Sequence, residues 1–66
     1  MSIGSNIKER RLALGMTQRE LAEIVGVDQS MICQIERGSK TPTLPLGRDI
    51  SEALQCHLED ILKEAS

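Results

Sequence analysis

Three side-chain amides and one hydroxyl carry the clearest chemistry in this 66-residue sequence: Gln18, Gln29, Ser30 and Gln34. A glutamine amide presents a donor beside an acceptor, the pair that matches N6 and N7 of adenine in a DNA major groove. A helix opening near residue 28 would place Gln29, Ser30, Cys33, Gln34 and Arg37 on the side away from Ile32 and Ile35. Gln29, in the first turn, is best placed for a bidentate contact. Ser30 can bond to several bases and so carries less information, and Gln34, one turn on, can reach a base or a phosphate. The plainer alternative is an ordinary solvated helix face. Gln18, Arg10, Arg37 and Lys40, with the free N–H groups that open two helices, are candidates for phosphate contact. Arg10 and Lys40 are equally what a solubilising surface requires.

These side chains need elements to hold them, and the sequence marks the elements clearly. Thr17-Gln18-Arg19-Glu20 is a capping box, with Met16 and Leu21 as its hydrophobic staple. The helix it opens should bury Leu21, Ala22, Ile24 and Val25 and stop at Gly26. Asp28 caps the next helix, Val27 and Ile32 form its staple, Ile32 and Ile35 face inward, and Gly38 ends it. Residues 17–38 thus read as a helix-turn-helix, a bracing helix and a tight turn followed by a helix whose polar side can enter a major groove.

Before this unit, Ser5 or Asn6 can cap a first helix running to about Leu14, with Gly15 as a left-handed stop. Its apolar stripe would hold Ile7, Arg11 and Leu14. After it, Thr41-Pro42-Thr43 is extended, and Thr43 can cap a fourth helix with Pro45 tolerated in its first turn. Leu46, Ile50, Ala53 and Leu54 repeat at helical spacing. A short fifth helix starting near His57 should turn Leu58, Ile61 and Leu62 inward, with Glu59 and Asp60 at its positive end. The expected fold is all-α, a compact bundle of five short helices forming one domain over residues 1–66.

Two charges fall on faces that should be buried. Arg11 lies on the stripe of the first helix, and Glu36 follows Ile32 by four residues on the inner side of the third. An unpaired buried charge costs several kcal/mol, so an Arg11–Glu36 salt bridge is the cheapest arrangement if both are inside. Otherwise both reach solvent at the edges of their helices.

Composition narrows the function classes. With no Phe, Tyr or Trp, the core must be built from aliphatic side chains, and at this length stability should be modest unless a second copy adds to it. No run is long and apolar enough for a membrane span or a signal segment, so a cytoplasmic setting is expected. Cys33 and Cys56 suggest reduced thiols, not a disulfide framework; a redox role for Cys33 is conceivable only because it lies on the outward face. His57 beside Cys56 lacks metal-site spacing, no cofactor motif occurs, and no nucleophile–base set points to an enzyme. The net charge is −2, but residues 1–48 carry seven basic against five acidic groups, and residues 49–66 one against five. A local basic face therefore survives the acidic total.

The sequence resembles the Cro/C1-type (XRE) helix-turn-helix family of phage and bacterial repressors. The matching residues are Arg11, Leu14-Gly15-Met16-Thr17-Gln18, Glu20-Leu21-Ala22, Val25-Gly26-Val27, Gln29-Ser30, Ile32, Gln34-Ile35-Glu36-Arg37-Gly38, Pro42, Ala53-Leu54 and Leu58. The match runs from about Ile7 to Leu62. It implies a lambda-repressor-like five-helix domain that binds operator DNA, commonly as a two-fold dimer. It supports the Arg11–Glu36 pair, and it implies Gln18 as the phosphate and register contact with Gln29, Ser30 and Gln34 as base readers. Two departures stand out: Gln55-Cys56-His57 replaces a common Gly-Val-Ser turn, and Gly47-Arg48 replaces an apolar pair.

The expected function is a sequence-specific transcriptional regulator, a repressor acting as a homodimer on a palindromic operator in double-stranded DNA, with half-sites about 34 Å apart. Few positive charges mean a shallow salt dependence and weak binding by one copy. The dimer would form through residues 55–66, using Cys56, Leu58, Ile61 and Leu62. The alternative is a protein-interaction module of antitoxin or coactivator type that docks a partner on the acidic C-terminal half. A prophage, a restriction-modification locus or a toxin–antitoxin pair would each suit such a regulator.

Overall fold

The structure, a computed structural model that describes residues 2–63, has five helices, and in three of them a short polar side chain takes the place of a missing backbone partner. They are α1 (Ile3–Ala13), α2 (Gln18–Val25), α3 (Gln29–Arg37), α4 (Leu44–Ala53) and α5 (Leu58–Leu62). Thr17 Oγ1 accepts from the Glu20 N–H at 3.0 Å while the Glu20 carboxylate accepts from the Thr17 N–H at 2.8 Å, closing the capping box that opens α2. Thr43 Oγ1 accepts from the Leu46 N–H at 3.3 Å to open α4, with Pro45 in its first turn. Gly26 and Gly38 end α2 and α3 at φ of 77° and 85°, a left-handed conformation that glycine adopts without Cβ strain.

Several local expectations give way to packing. Neither Ser5 nor Asn6 caps α1. The helix starts at Ile3 with Ser2 as its cap, because Ser2 Oγ accepts from the Ser5 N–H. The earlier start brings Gly4 onto the last turn of α3, where an added Cβ would overlap the Ile35 carbonyl oxygen and stand 2.6 Å from that of Glu36. Asn6 works at the other end of the chain instead. Its Nδ2 donates to the Ile61 carbonyl at 2.7 Å and the Lys63 carbonyl at 2.6 Å, satisfying acceptors that α5 leaves open. Leu14 does not join the apolar stripe, since α1 stops before it and it stays exposed. Asp28 occupies the cap position of α3, yet its carboxylate makes no capping bond.

The core holds Ile7, Leu21, Ala22, Ile32, Ile35, Ile50, Leu54 and Ile61, contributed by all five helices. Five of these are isoleucines, whose stiff β-branched shape gives an aromatic-free core well-defined packing. Helix α3 packs against α1 and α2, while α4 bridges α2 and α5. Ile24, expected inside, is 59% exposed; the inner side of α2 is taken by Leu21, Ala22 and Val25. Gly47 is buried, and Leu58 Cδ1 lies 3.4 Å from where a side chain there would begin. Leu58 thus occupies the room left by the missing apolar residue. Among the described residues, no helix is long and apolar enough to cross a membrane.

Candidate nucleic-acid interface

The inner face of α3 decides what its outer face presents. Ile32 and Ile35 are buried, so Gln29 and Ser30 stand exposed in the first turn, Cys33 and Gln34 are half-buried at the edges, and Arg37 is exposed at the end. Lys40 follows, exposed, after the α3 stop; its N–H and that of Ser39 donate to the Gln34 carbonyl at 3.2 and 2.9 Å, which fixes the exit of the chain. Hydrogen bonding within α3 begins with the Met31 and Ile32 N–H groups donating to the Asp28 carbonyl. The N–H groups of Gln29 and Ser30 are therefore left for an outside acceptor.

Behind this face sits a buried polar knot. Arg11 Nε donates to Glu36 Oε2 at 2.7 Å and Arg11 Nη2 to Glu36 Oε1 at 3.1 Å, a bidentate pair with 7% and 3% of the two side chains exposed. Arg11 Nη1 donates to the Met16 carbonyl at 2.7 Å, and Gln18 Nε2 donates to Glu36 Oε1 at 3.0 Å. No buried side-chain nitrogen or oxygen among the described residues lacks a partner. The Glu36 carboxylate thus ties α1 and α2 to α3, and Arg11 extends the network to the α1–α2 loop through the Met16 carbonyl. Sequence spacing pointed to the Arg11–Glu36 pair but not to Gln18 as its third member, because eighteen residues separate Gln18 from Glu36 and no local pattern joins them.

Arg10, expected among the phosphate contacts, has an acidic neighbour within its own chain. Its guanidinium turns toward α5, 3.9 Å from Asp60, whose other carboxylate oxygen accepts from the His57 N–H at 3.0 Å. Arg19, a member of the capping box, is exposed in the first turn of α2 next to Gln18.

The residues expected at a dimer surface divide. Ile61 is fully buried in its own chain and is unavailable to a partner. Leu62 is not turned inward as expected; it is 46% exposed. Cys56 and Leu58 are half-buried, and positions 64–66 of the expected region lie outside the described residues. Burial raises the Cys56 thiol pKa, an effect partly offset by Arg10 and reinforced by Asp60. Cys33 and Cys56 are both free thiols, and no cluster of metal-ligating side chains occurs among the described residues.

Comparison with known proteins gives this arrangement relatives. A helix-turn-helix family model, HTH_3, matches residues 7–61. An uncharacterized HTH-type transcriptional regulator of Methanothermobacter thermautotrophicus is 48% identical over 56 residues, covering 83% of this chain and 81% of that protein. Among solved structures, the P22 c2 repressor in complex with a synthetic operator superposes with a TM-score of 0.91 at 35% identity, over 96% of both chains. The restriction-modification controller protein C.AhdI from Aeromonas hydrophila superposes at 0.86 and 28% identity, over 91% of this chain and 87% of that one.

Proposed function

The chain belongs to the HTH_3 helix-turn-helix family, the XRE or Cro/C1 type of transcriptional regulator, and we propose that it represses transcription by binding a palindromic DNA operator as a homodimer. One observation carries the proposal: the outer face of α3 offers Gln29, Ser30 and Gln34 while its inner face is locked by Ile32, Ile35 and Glu36. A rigidly held helix with exposed amides is what base-edge recognition in the major groove needs. Gln29 and Gln34 read bases and Ser30 adds a less selective contact. Gln18, Arg19, Arg37 and Lys40, with the open N–H groups of α2 and α3, hold phosphates.

A dimer is supported by dimensions and by charge. The described part of the chain measures 31 × 23 × 20 Å, so two copies placed about 34 Å apart, one helical turn of DNA, can stand next to one another. A chain of net charge −2 gains little from a single phosphate footprint, and a second copy doubles it. Leu62, Leu58 and Cys56 form the dimer contact, with Ile61 removed from that role.

Selection of bound duplexes from a random pool tests the whole reading. A two-fold symmetric site with half-sites about one turn apart is the expected product. Gln29→Ala should relax preference at one base pair by about 1–3 kcal/mol while other positions keep theirs. Equal weakening on every sequence would refute base reading by Gln29.

A second reading has one observation in its favour. A shallow groove of about 430 Å³ between α2 and α4 is lined by Ile24, Val25 and Ala53 together with the acidic Asp49 and Glu52. That is the character expected of a protein-interaction module. A Gln29→Ala/Gln34→Ala variant separates the readings, since a folded variant that loses DNA but keeps its cellular activity favours the groove.

A further inference from the structure

The geometry points to Glu36 as a positioning residue for the phosphate contact at Gln18, an inference that rests on the DNA-binding reading above. An ionised carboxylate can only accept hydrogen bonds. Glu36 Oε1, 3.0 Å from Gln18 Nε2, therefore selects one of the two possible orientations of the Gln18 amide, the one with its NH₂ group turned inward. The NH₂ group has two hydrogens, and Glu36 engages one of them. The other is left to donate, and a phosphate oxygen is an acceptor. Were the amide reversed, its carbonyl oxygen would meet a carboxylate oxygen that can only accept, a repulsive contact that disfavours this orientation.

Glu36 can impose that choice because it is itself immobile. Its side chain is 3% exposed and is gripped by Arg11 through both Oε1 and Oε2. Arg11 in turn is anchored on the Met16 carbonyl one residue before the α2 cap. Gln18, at the first helical position of α2 and half-buried, inherits this order. A side chain already immobilised in the free protein loses less entropy when it meets DNA. The buried ion pair so acts beyond its own helix contact: it sets the polarity and the rotamer of a surface donor.

A double-mutant cycle on operator affinity tests this. The buried pair is replaced as a unit by Arg11→Met/Glu36→Leu, which avoids an orphaned charge. Gln18→Ala is then made in the unmodified chain and in the replaced background. The expected losses are about tenfold in the first and about twofold in the second. Equal losses in both backgrounds overturn the positioning role alone, because a merely structural Glu36 would lower affinity without changing what Gln18 contributes. No loss from Gln18→Ala in the unmodified chain overturns the phosphate contact as well, and failure of the unmodified chain to bind any duplex overturns the reading beneath both.

Side-chain amide NMR of the unmodified chain keeps the inference testable if the replaced background does not fold. Gln18 should show a single ordered NH₂ pair close to the Arg11 Nη2 protons, which share Glu36 Oε1 with it. Motional averaging like that of exposed Gln55 would overturn it.

Discussion

Removing one partner of the buried pair should cost far more than removing both. In Glu36→Leu, Arg11 keeps its bond to the Met16 carbonyl but loses the two donated to Glu36, and its charge stays in a site only 6% exposed. Breaking a buried pair in this way costs about 3–5 kcal/mol. A domain of this size has about 3–10 kcal/mol in total, so the variant should be largely unfolded or close to it. Arg11→Met/Glu36→Leu removes the stranded charge together with its partner and should lie within about 1–2 kcal/mol of the unmodified chain. The assay is urea denaturation followed by far-UV circular dichroism, since the chain has no Trp or Tyr to report by fluorescence. With a urea slope of about 1 kcal/mol/M, the single variant should lose roughly 3 M or more in midpoint. A loss below about 1 kcal/mol for Glu36→Leu would mean that Arg11 simply swings to water. A double variant as unstable as the single one would show that the cost is not that of an orphaned charge.

Gly4→Ala improves helix propensity by about 1 kcal/mol yet should destabilise by about 1–3 kcal/mol, because the new methyl overlaps backbone carbonyls of α3; a raised melting temperature would show that α1 does not sit directly on α3. Gln55 holds a left-handed backbone at φ 58°, so Gln55→Gly should relieve up to about 1 kcal/mol and raise the melting temperature by a few degrees; an unchanged or lower value would argue against that turn. With its thiol pKa raised, Cys56 should be alkylated by iodoacetamide at pH 8 more slowly than an ordinary thiol, measured in a Cys33→Ser chain. The sign for stability follows: the folded state favours the protonated thiol, so this contribution is lost as pH climbs from the ordinary thiol pKa through the raised one.

Features encoded within four residues were legible in the sequence. The Thr17–Glu20 box, the Thr43 cap, and the stops at Gly15, Gly26 and Gly38 are local hydrogen-bond and dihedral solutions, and they recur in the structure as read. Even the departure at Gln55 is informative, for it stands where the family commonly has glycine and keeps the positive φ that a glycine would take. Periodicity was less secure at edges. A five-residue helix such as α5 cannot say from spacing alone that Ile61 is enclosed while Leu62 is not.

By itself, the sequence determined where α2 and α3 start and stop and where α4 and α5 start, which face of α3 is polar, and that Arg11 and Glu36 need one another. Only the tertiary structure decided the contacts between distant segments: Gly4 against the end of α3, Asn6 on the last carbonyls of α5, Arg10 drawn to Asp60, and Gln18 turned onto Glu36. The physical reason is the range of the information. A cap is satisfied by neighbours in the chain, whereas the partner of a side chain pointing off a helix depends on which helix happens to be packed against it.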